Sequence, residues 1–142
     1  GIAHIAGITQ FRVYIEGNSY QSTAQIFSSL AKAGISVDLI NINPEQVAFT
    51  VKNEVAENTQ KILNKQGFKL KIRPGCAKVA VVGAGMMGVP GVMAAIAVAL
   101  AEKGIEILQS ADSHTTIWTL VDEKEMERAV CLLHDKFSLG KN

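Results

Sequence analysis

Apolar and polar positions along the chain recur in an order that can be read element by element. Phe11-Arg12-Val13-Tyr14-Ile15 and Val79-Ala80-Val81-Val82 are β-branched and aromatic runs that stop at Gly17 and Gly83, a pattern that predicts strands. A helix is expected after each. Ile26, Phe27 and Leu30 stand at helical spacing before Gly34, and Val92, Ile96 and Leu100 do so before Gly104, with Pro90 near the start. Strands follow at Ile35 to Ile42 and Ile105 to Ser110. Short polar turns (Asn43-Pro44-Glu45 and Asp112-Ser113-His114) then lead into strands at Gln46 to Val51 and Thr116 to Val121. Turns this short force antiparallel hairpins, because a parallel return needs a crossover of roughly a dozen residues. Amphipathic helices are expected at about residues 54–65 and 123–137, and Lys69 to Ile72 supplies a further strand.

The two halves of this pattern are copies of one another. Leu30-Ala31-Lys32-Ala33-Gly34-Ile35 recurs as Leu100-Ala101-Glu102-Lys103-Gly104-Ile105, an offset of 104 − 34 = 70. The same offset relates Ile26 to Ile96, Val51 to Val121, and Ile62-Leu63 to Leu132-Leu133. Each copy reads β-α-β-β-α-β, the split βαβ or ferredoxin-like unit, whose antiparallel sheet carries both helices on one face. The expected class is therefore α+β with two tandem domains. The second copy has no fourth strand after its last helix, and the spare apolar stretch Ile2 to Ile8 can fill that place. The expected domains are 9–74, inserted, and 75–142 together with residues 1–8.

Composition narrows the function classes. The 142 residues carry 14 Lys+Arg against 13 Asp+Glu, a net charge of +1, and 48% are hydrophobic. These values exclude disorder and argue against a phosphate-neutralising surface, so no nucleic-acid partner is expected. The longest apolar run, Val89 to Ala101, falls short of the roughly 18–20 residues that span a bilayer, so no membrane partner is expected either. Cys76 and Cys131 share no metal-binding spacing and read as reduced thiols of a cytoplasmic protein. No metal site is expected. The opening Gly1-Ile2-Ala3, without an initiator Met or a signal peptide, suggests a piece of a longer protein or a processed start.

Gly83-Ala84-Gly85-Met86-Met87-Gly88 follows a strand and precedes a helix, the G-x-G-x-x-G arrangement that holds a dinucleotide pyrophosphate. A dinucleotide fold needs further parallel strands joined by crossover helices. Here the next strand ends near Asp112 and a hairpin follows at once, while Pro90-Gly91 lengthens the loop. NAD binding by a Rossmann fragment is therefore only an alternative, as is a dimerisation module that binds no ligand. No G-x-S-x-G, H-E-x-x-H or P-loop is present, and no catalytic residue is assigned.

The string Lys78-Val79-Ala80-Val81-Val82-Gly83-Ala84-Gly85-Met86, with Pro90-Gly91-Val92 beyond it, resembles the second ACT domain of bacterial aspartate kinases. So do Gly104 to Ile107, the Val121-Asp122-Glu123-Lys124 turn and the helix ending His134-Asp135-Lys136-Phe137, while Gly1-Ile2-Ala3 and Ile35-Ser36-Val37-Asp38 resemble the first. The resemblance covers essentially the whole chain. It implies a regulatory region that dimerises through its ACT domains, binds an end-product amino acid and inhibits an aspartate kinase catalytic domain or subunit. ATP and Mg would belong to that kinase part, and this chain itself would need no cofactor.

In that family the effector lies in the loop between the first strand and first helix of one ACT domain, against the second strand of a partner ACT domain. The residues this assigns are Met86, Met87, Gly88, Val89, Gly91 and Val92 in the second loop, and Asp38 on a second strand. Ser19 and Gln21 are the candidates in the first loop, which is shorter and lacks Pro-Gly. Met86 and Met87 would contribute backbone, with side chains plugging the core. Ser113, His114 and Thr115 complete the set. Where lysine-sensitive relatives carry Ser-Glu, this chain has Ser113-His114, and Asp112 to Trp118 resembles the diaminopimelate-sensitive aspartate kinases of Bacillus-like bacteria. meso-Diaminopimelate has a second carboxylate, which imidazole and hydroxyl groups can meet with hydrogen bonds and a glutamate would repel. The expected order is meso-diaminopimelate, then lysine, then threonine.

Overall fold

A computed structural model describes residues 1–83 and 91–137. The chain divides into two compact units, one continuous (Gly7–Pro74) and one discontinuous (Gly1–Ala6 with Gly75–Asn142). Two long strands, β1 (Ile2–Tyr14) and β4 (Lys69–Val82), contribute to both units.

In the continuous unit β1 is followed by α1 (Ser19–Lys32), β2 (Asp38–Ile42), β3 (Gln46–Lys52), a 3-10 turn over Asn53–Val55 and α2 (Ala56–Lys65), before the first part of β4. The strands lie in the order β2-β3-β1-β4. β1 and β3 are antiparallel, with Tyr14 opposite Gln46 and Ile8 opposite Lys52. Strand alternation sends Phe11, Val13, Val47, Phe49 and Val51 to one face, where they meet Ile26 and Leu30 of α1 and Leu63 of α2. Phe11 and Phe49 stack at 5.6 Å between ring centroids, and Phe27 tilts against Phe49 at 5.9 Å.

In the discontinuous unit the second part of β4 leads to α3 (Val92–Glu102), β5 (Gln109–Asp112), β6 (Thr116–Asp122), a 3-10 turn over Glu123–Glu125 and α4 (Met126–Phe137). The strand order is β1-β4-β6-β5, so residues 2–6 hold the fourth-strand place. Val79, Val81, Ile117 and Val121 pack with Ile96 and Leu100 of α3 and Ala129 and Leu133 of α4. On the opposite face Lys78 lies over the Trp118 ring, 5.4 Å from its centroid, a cation–π contact that neutralises part of the cost of burying an ammonium. Both units are thus α+β, with antiparallel hairpins and two helices on one sheet face.

The repeated string has a mechanical meaning. α1 and α3 are each followed by a glycine in the left-handed region, Gly34 (φ 73°) and Gly104 (φ 71°), and the next residue's N–H reaches back to the last buried leucine of the helix: Ile35 to Leu30 O and Ile105 to Leu100 O, both 3.0 Å. The leucine and isoleucine of each string are buried across this stop. Because Ile35 and Ile105 serve the helix ends, the following strands begin later than their apolar character predicts, at Asp38 and Gln109. The helices expected from residues 54 and 123 likewise open with a 3-10 turn. The separate runs at Ile2 to Ile8 and Phe11 to Ile15 are one strand, as are Lys69 to Ile72 and Val79 to Val82. No helix among the described residues is long and apolar enough to cross a membrane.

Phe49→Ala removes a fully buried ring that two other aromatics contact, and should cost about 3–5 kcal/mol in urea unfolding. Val98→Ala, at an exposed site on α3, should change stability by less than about 0.5 kcal/mol in the same measurement.

Candidate functional site

At one end of the discontinuous unit, Ser113 N–H donates to Thr116 O (2.8 Å) and closes the β5–β6 turn. Gly83 N–H donates to Thr115 O (3.0 Å), so the turn is tied to the start of the strand–helix loop that leads to α3. The same two bonds recur in the continuous unit as Asn43 N–H to Gln46 O and Ile15 N–H to Glu45 O. Ser113, His114 and Thr115 are all exposed on this turn. Met86, Met87, Gly88 and Val89 lie outside the described residues. Gly91 precedes α3 with φ 91° and carries no side chain with which to cap it, while Val92 packs partly buried against the core. The first amides of a helix have no intrahelical acceptor and carry the positive end of the helix dipole, a setting that suits a carboxylate.

The first helix of the continuous unit is built differently. Its strand–helix connection spans only residues 15–18, against 83–91 in the other unit. Asn18 caps it: the side-chain Oδ1 accepts the Gln21 N–H at 3.2 Å. Ser19 is the half-buried first residue of α1 and Gln21 is exposed, but the amide of Gln21 is already engaged by the protein itself. Sequence reasoning named Ser19 and Gln21 and missed Asn18, although an asparagine just ahead of an apolar-periodic run is an N-cap signal.

Asp38 opens β2 and is exposed. Its Oδ1 accepts the N–H of Leu39 at 2.9 Å, and its carbonyl accepts the Thr50 hydroxyl at 3.2 Å. Asp38 pairs with Thr50, whereas the β1–α1 connection leaves β1 beyond Tyr14, which pairs with Gln46. Four residues of β3 therefore separate Asp38 from the level at which α1 begins. At about 3.4 Å per residue, one unit does not bring Ser19, Gln21 and Asp38 together. What the structure does bring together is the Ser113–Thr115 turn and the Gly83 end of the second loop. A cavity of about 330 Å³ between α3 and α4 is lined by Val98, Glu102 and Leu132 among others, at the far end of α3 from Gly91. Among the described residues no group of three or more His, Cys, Asp or Glu side chains is arranged to hold a metal ion.

A family profile described as ACT domain matches residues 71–135. A crystal structure of aspartokinase alpha and beta subunits is 33% identical to this chain and superposes with a TM-score of 0.91, covering 98% of each chain. The chain belongs to the aspartokinase family, as its ACT regulatory region. The regulatory subunit of aspartate kinase from Thermus thermophilus, in its ligand-free form, is 29% identical with a TM-score of 0.87 over 96% of this chain and 97% of that one. Aspartokinase 1 of Bacillus subtilis (strain 168) is 50% identical over 141 residues, 99% of this chain. The chain spans 35% of the length of that relative. β4, the strand ahead of the glycine motif, is antiparallel to β6, which sets this aspartokinase region apart from a parallel dinucleotide sheet.

Asn18→Ala should lower the stability of this aspartokinase region by about 1 kcal/mol in urea unfolding, because Asn18 is the side-chain cap of α1. An unchanged midpoint would show that the cap contributes nothing.

Proposed function

We propose that the chain senses an end-product amino acid and restrains an aspartate kinase catalytic domain or subunit, giving feedback inhibition. The continuous unit is the first ACT domain, inserted into the second. Two copies of the chain associate through their ACT domains. One effector is held between the loop and hairpin turn of a second ACT domain and the β2 strand of a partner copy's first ACT domain. The observation that carries this reading is the pairing of a glycine-led helix N-terminus, which has no side-chain cap, with an exposed Ser-His-Thr turn bonded to the same loop. The amides suit an α-carboxylate, and the serine, histidine and threonine side chains suit the second polar end of the ligand. Asp38 supplies a carboxylate for an ammonium. The favoured effector is meso-diaminopimelate, followed by lysine and threonine. A ligand bridging two copies favours whichever dimer arrangement closes its site, and couplings of this kind are worth about 1–3 kcal/mol. The catalytic part would respond to that arrangement.

Calorimetric titration of the chain with meso-diaminopimelate, lysine, threonine and NAD, at a concentration that sustains a dimer, tests the reading. Binding of meso-diaminopimelate is the expected result. Lysine or threonine binding alone would keep the sensor and discard the role of the turn, NAD binding would favour a dinucleotide site, and silence from all four would leave an assembly module. His114→Glu should weaken meso-diaminopimelate binding about tenfold or more by placing a carboxylate against a carboxylate, and should leave lysine binding equal or tighter.

A further inference from the structure

β2 contains a feature that the shared fold does not demand. Leu39 has φ 47° and, among the described residues, is the non-glycine residue with positive φ. A leucine in the left-handed region is strained by about 1–2 kcal/mol, and Leu39 is a core residue at 4% exposure, so its conformation is held by its surroundings. The strain accompanies a shift in register. Asp38 pairs with Thr50 and Asn41 pairs with Ala48, so Leu39 and Ile40 together stand opposite the single residue Phe49, a β-bulge. The carboxylate of Asp38 accepts the Leu39 N–H and fastens the first residue of the bulge. The corresponding β5–β6 hairpin of the other unit runs from Gln109–Leu120 to Asp112–Ile117 with no shift. Two copies of one fold thus differ in that one second strand is kinked, and it is the strand that carries Asp38.

The bulge changes which side chains share a face. In a regular strand Asp38 and Asn41, three residues apart, would point to opposite sides of the sheet. Here their partners Thr50 and Ala48 lie on one face of β3, the face away from Val47, Phe49 and Val51, which enter the core. Directly opposite residues of an antiparallel pair point the same way, so Asp38 and Asn41 emerge on the same face, and both are exposed. The result is an acceptor carboxylate and an amide on one face of an edge strand, opposite positions two residues apart on β3. An amide can donate to a carboxylate, which Asp38 cannot.

We infer that Asn41 is an effector-recognition residue, turned onto the Asp38 face by the Leu39 bulge so that its amide donates to a carboxylate of the amino acid whose ammonium Asp38 receives. Leu39 is a positioning residue. The ligand class is a zwitterionic amino acid, and the inference rests on the effector reading proposed above.

Titration of wild-type chain, Asn41→Ala and Asn41→Asp with meso-diaminopimelate, lysine and threonine tests it, with melting of each ligand-free variant as the control for folding. Asn41 is exposed, so the ligand-free melting temperature should hold for both variants. Asn41→Ala should weaken binding of the effector about tenfold, the value of one hydrogen bond to a charged group. Asn41→Asp should weaken it further, by setting a second carboxylate against the ligand's own. Wild-type affinity in Asn41→Ala, or tighter binding in Asn41→Asp, would overturn the assignment of Asn41 while leaving the sensor intact. Failure of all three amino acids to bind the wild-type chain would overturn the effector reading itself.

Discussion

The architecture depends on the strand that completes the discontinuous sheet. Gly1 N lies 2.6 Å from Val82 O, and Val82 N–H donates to Gly1 O at 2.8 Å, so the first residues of the chain are laid against the end of β4 some eighty positions later. This places β1 beside β4, so that residues 7–74 are an insertion in the sequence of the discontinuous unit. Closing so long a loop costs little more entropy than closing a short one, because the penalty grows only with the logarithm of length. The insertion is tolerated because it has its own core, built around Phe11, Phe49, Ile26 and Leu63, and because its ends leave on neighbouring strands.

Given two copies of one fold, the differences between them carry the functional argument. The helix that follows β1 is capped by Asn18 after a short connection, whereas the helix that follows β4 is separated from it by residues 83–91 and led by Gly91, which provides no side-chain cap. One N-terminus is satisfied from within and the other suits an anion. The second strands differ in a complementary way, since β5 is regular and β2 is bulged at Leu39. On the reading proposed above, one copy would present backbone donors and the other a carboxylate and an amide.

Much of this was legible from residue pattern. The offset of 70 exposed the duplication because both copies need the same helix stop, Leu30 to Ile35 and Leu100 to Ile105, and few residues satisfy it. Hydrophobicity does not locate the strand starts near Ile35 and Ile105 for the same reason, as apolar residues that close a helix are indistinguishable by hydrophobicity from residues that begin a strand. The continuity of β1 and β4 is hidden because the polar Thr9-Gln10 and the stretch Arg73-Pro74-Gly75 separate the apolar runs on either side, yet lie within long strands. The Leu39 bulge had no sequence signal, because leucine has no preference for the left-handed region and only the pairing of β2 with β3 reveals it. Asn18 does carry a signal, as an asparagine just ahead of an apolar-periodic run.

The account claims that one amino acid is read jointly by the second unit's loop and turn and by the bulged strand of the first. Amide hydrogen exchange of the chain with and without meso-diaminopimelate addresses this most directly. The account predicts slower exchange at residues 38–42, 91–95 and 113–116, with the amides of residues 19–22 unchanged. Protection confined to residues 19–22, or exchange that the ligand leaves unaltered throughout, would contradict it.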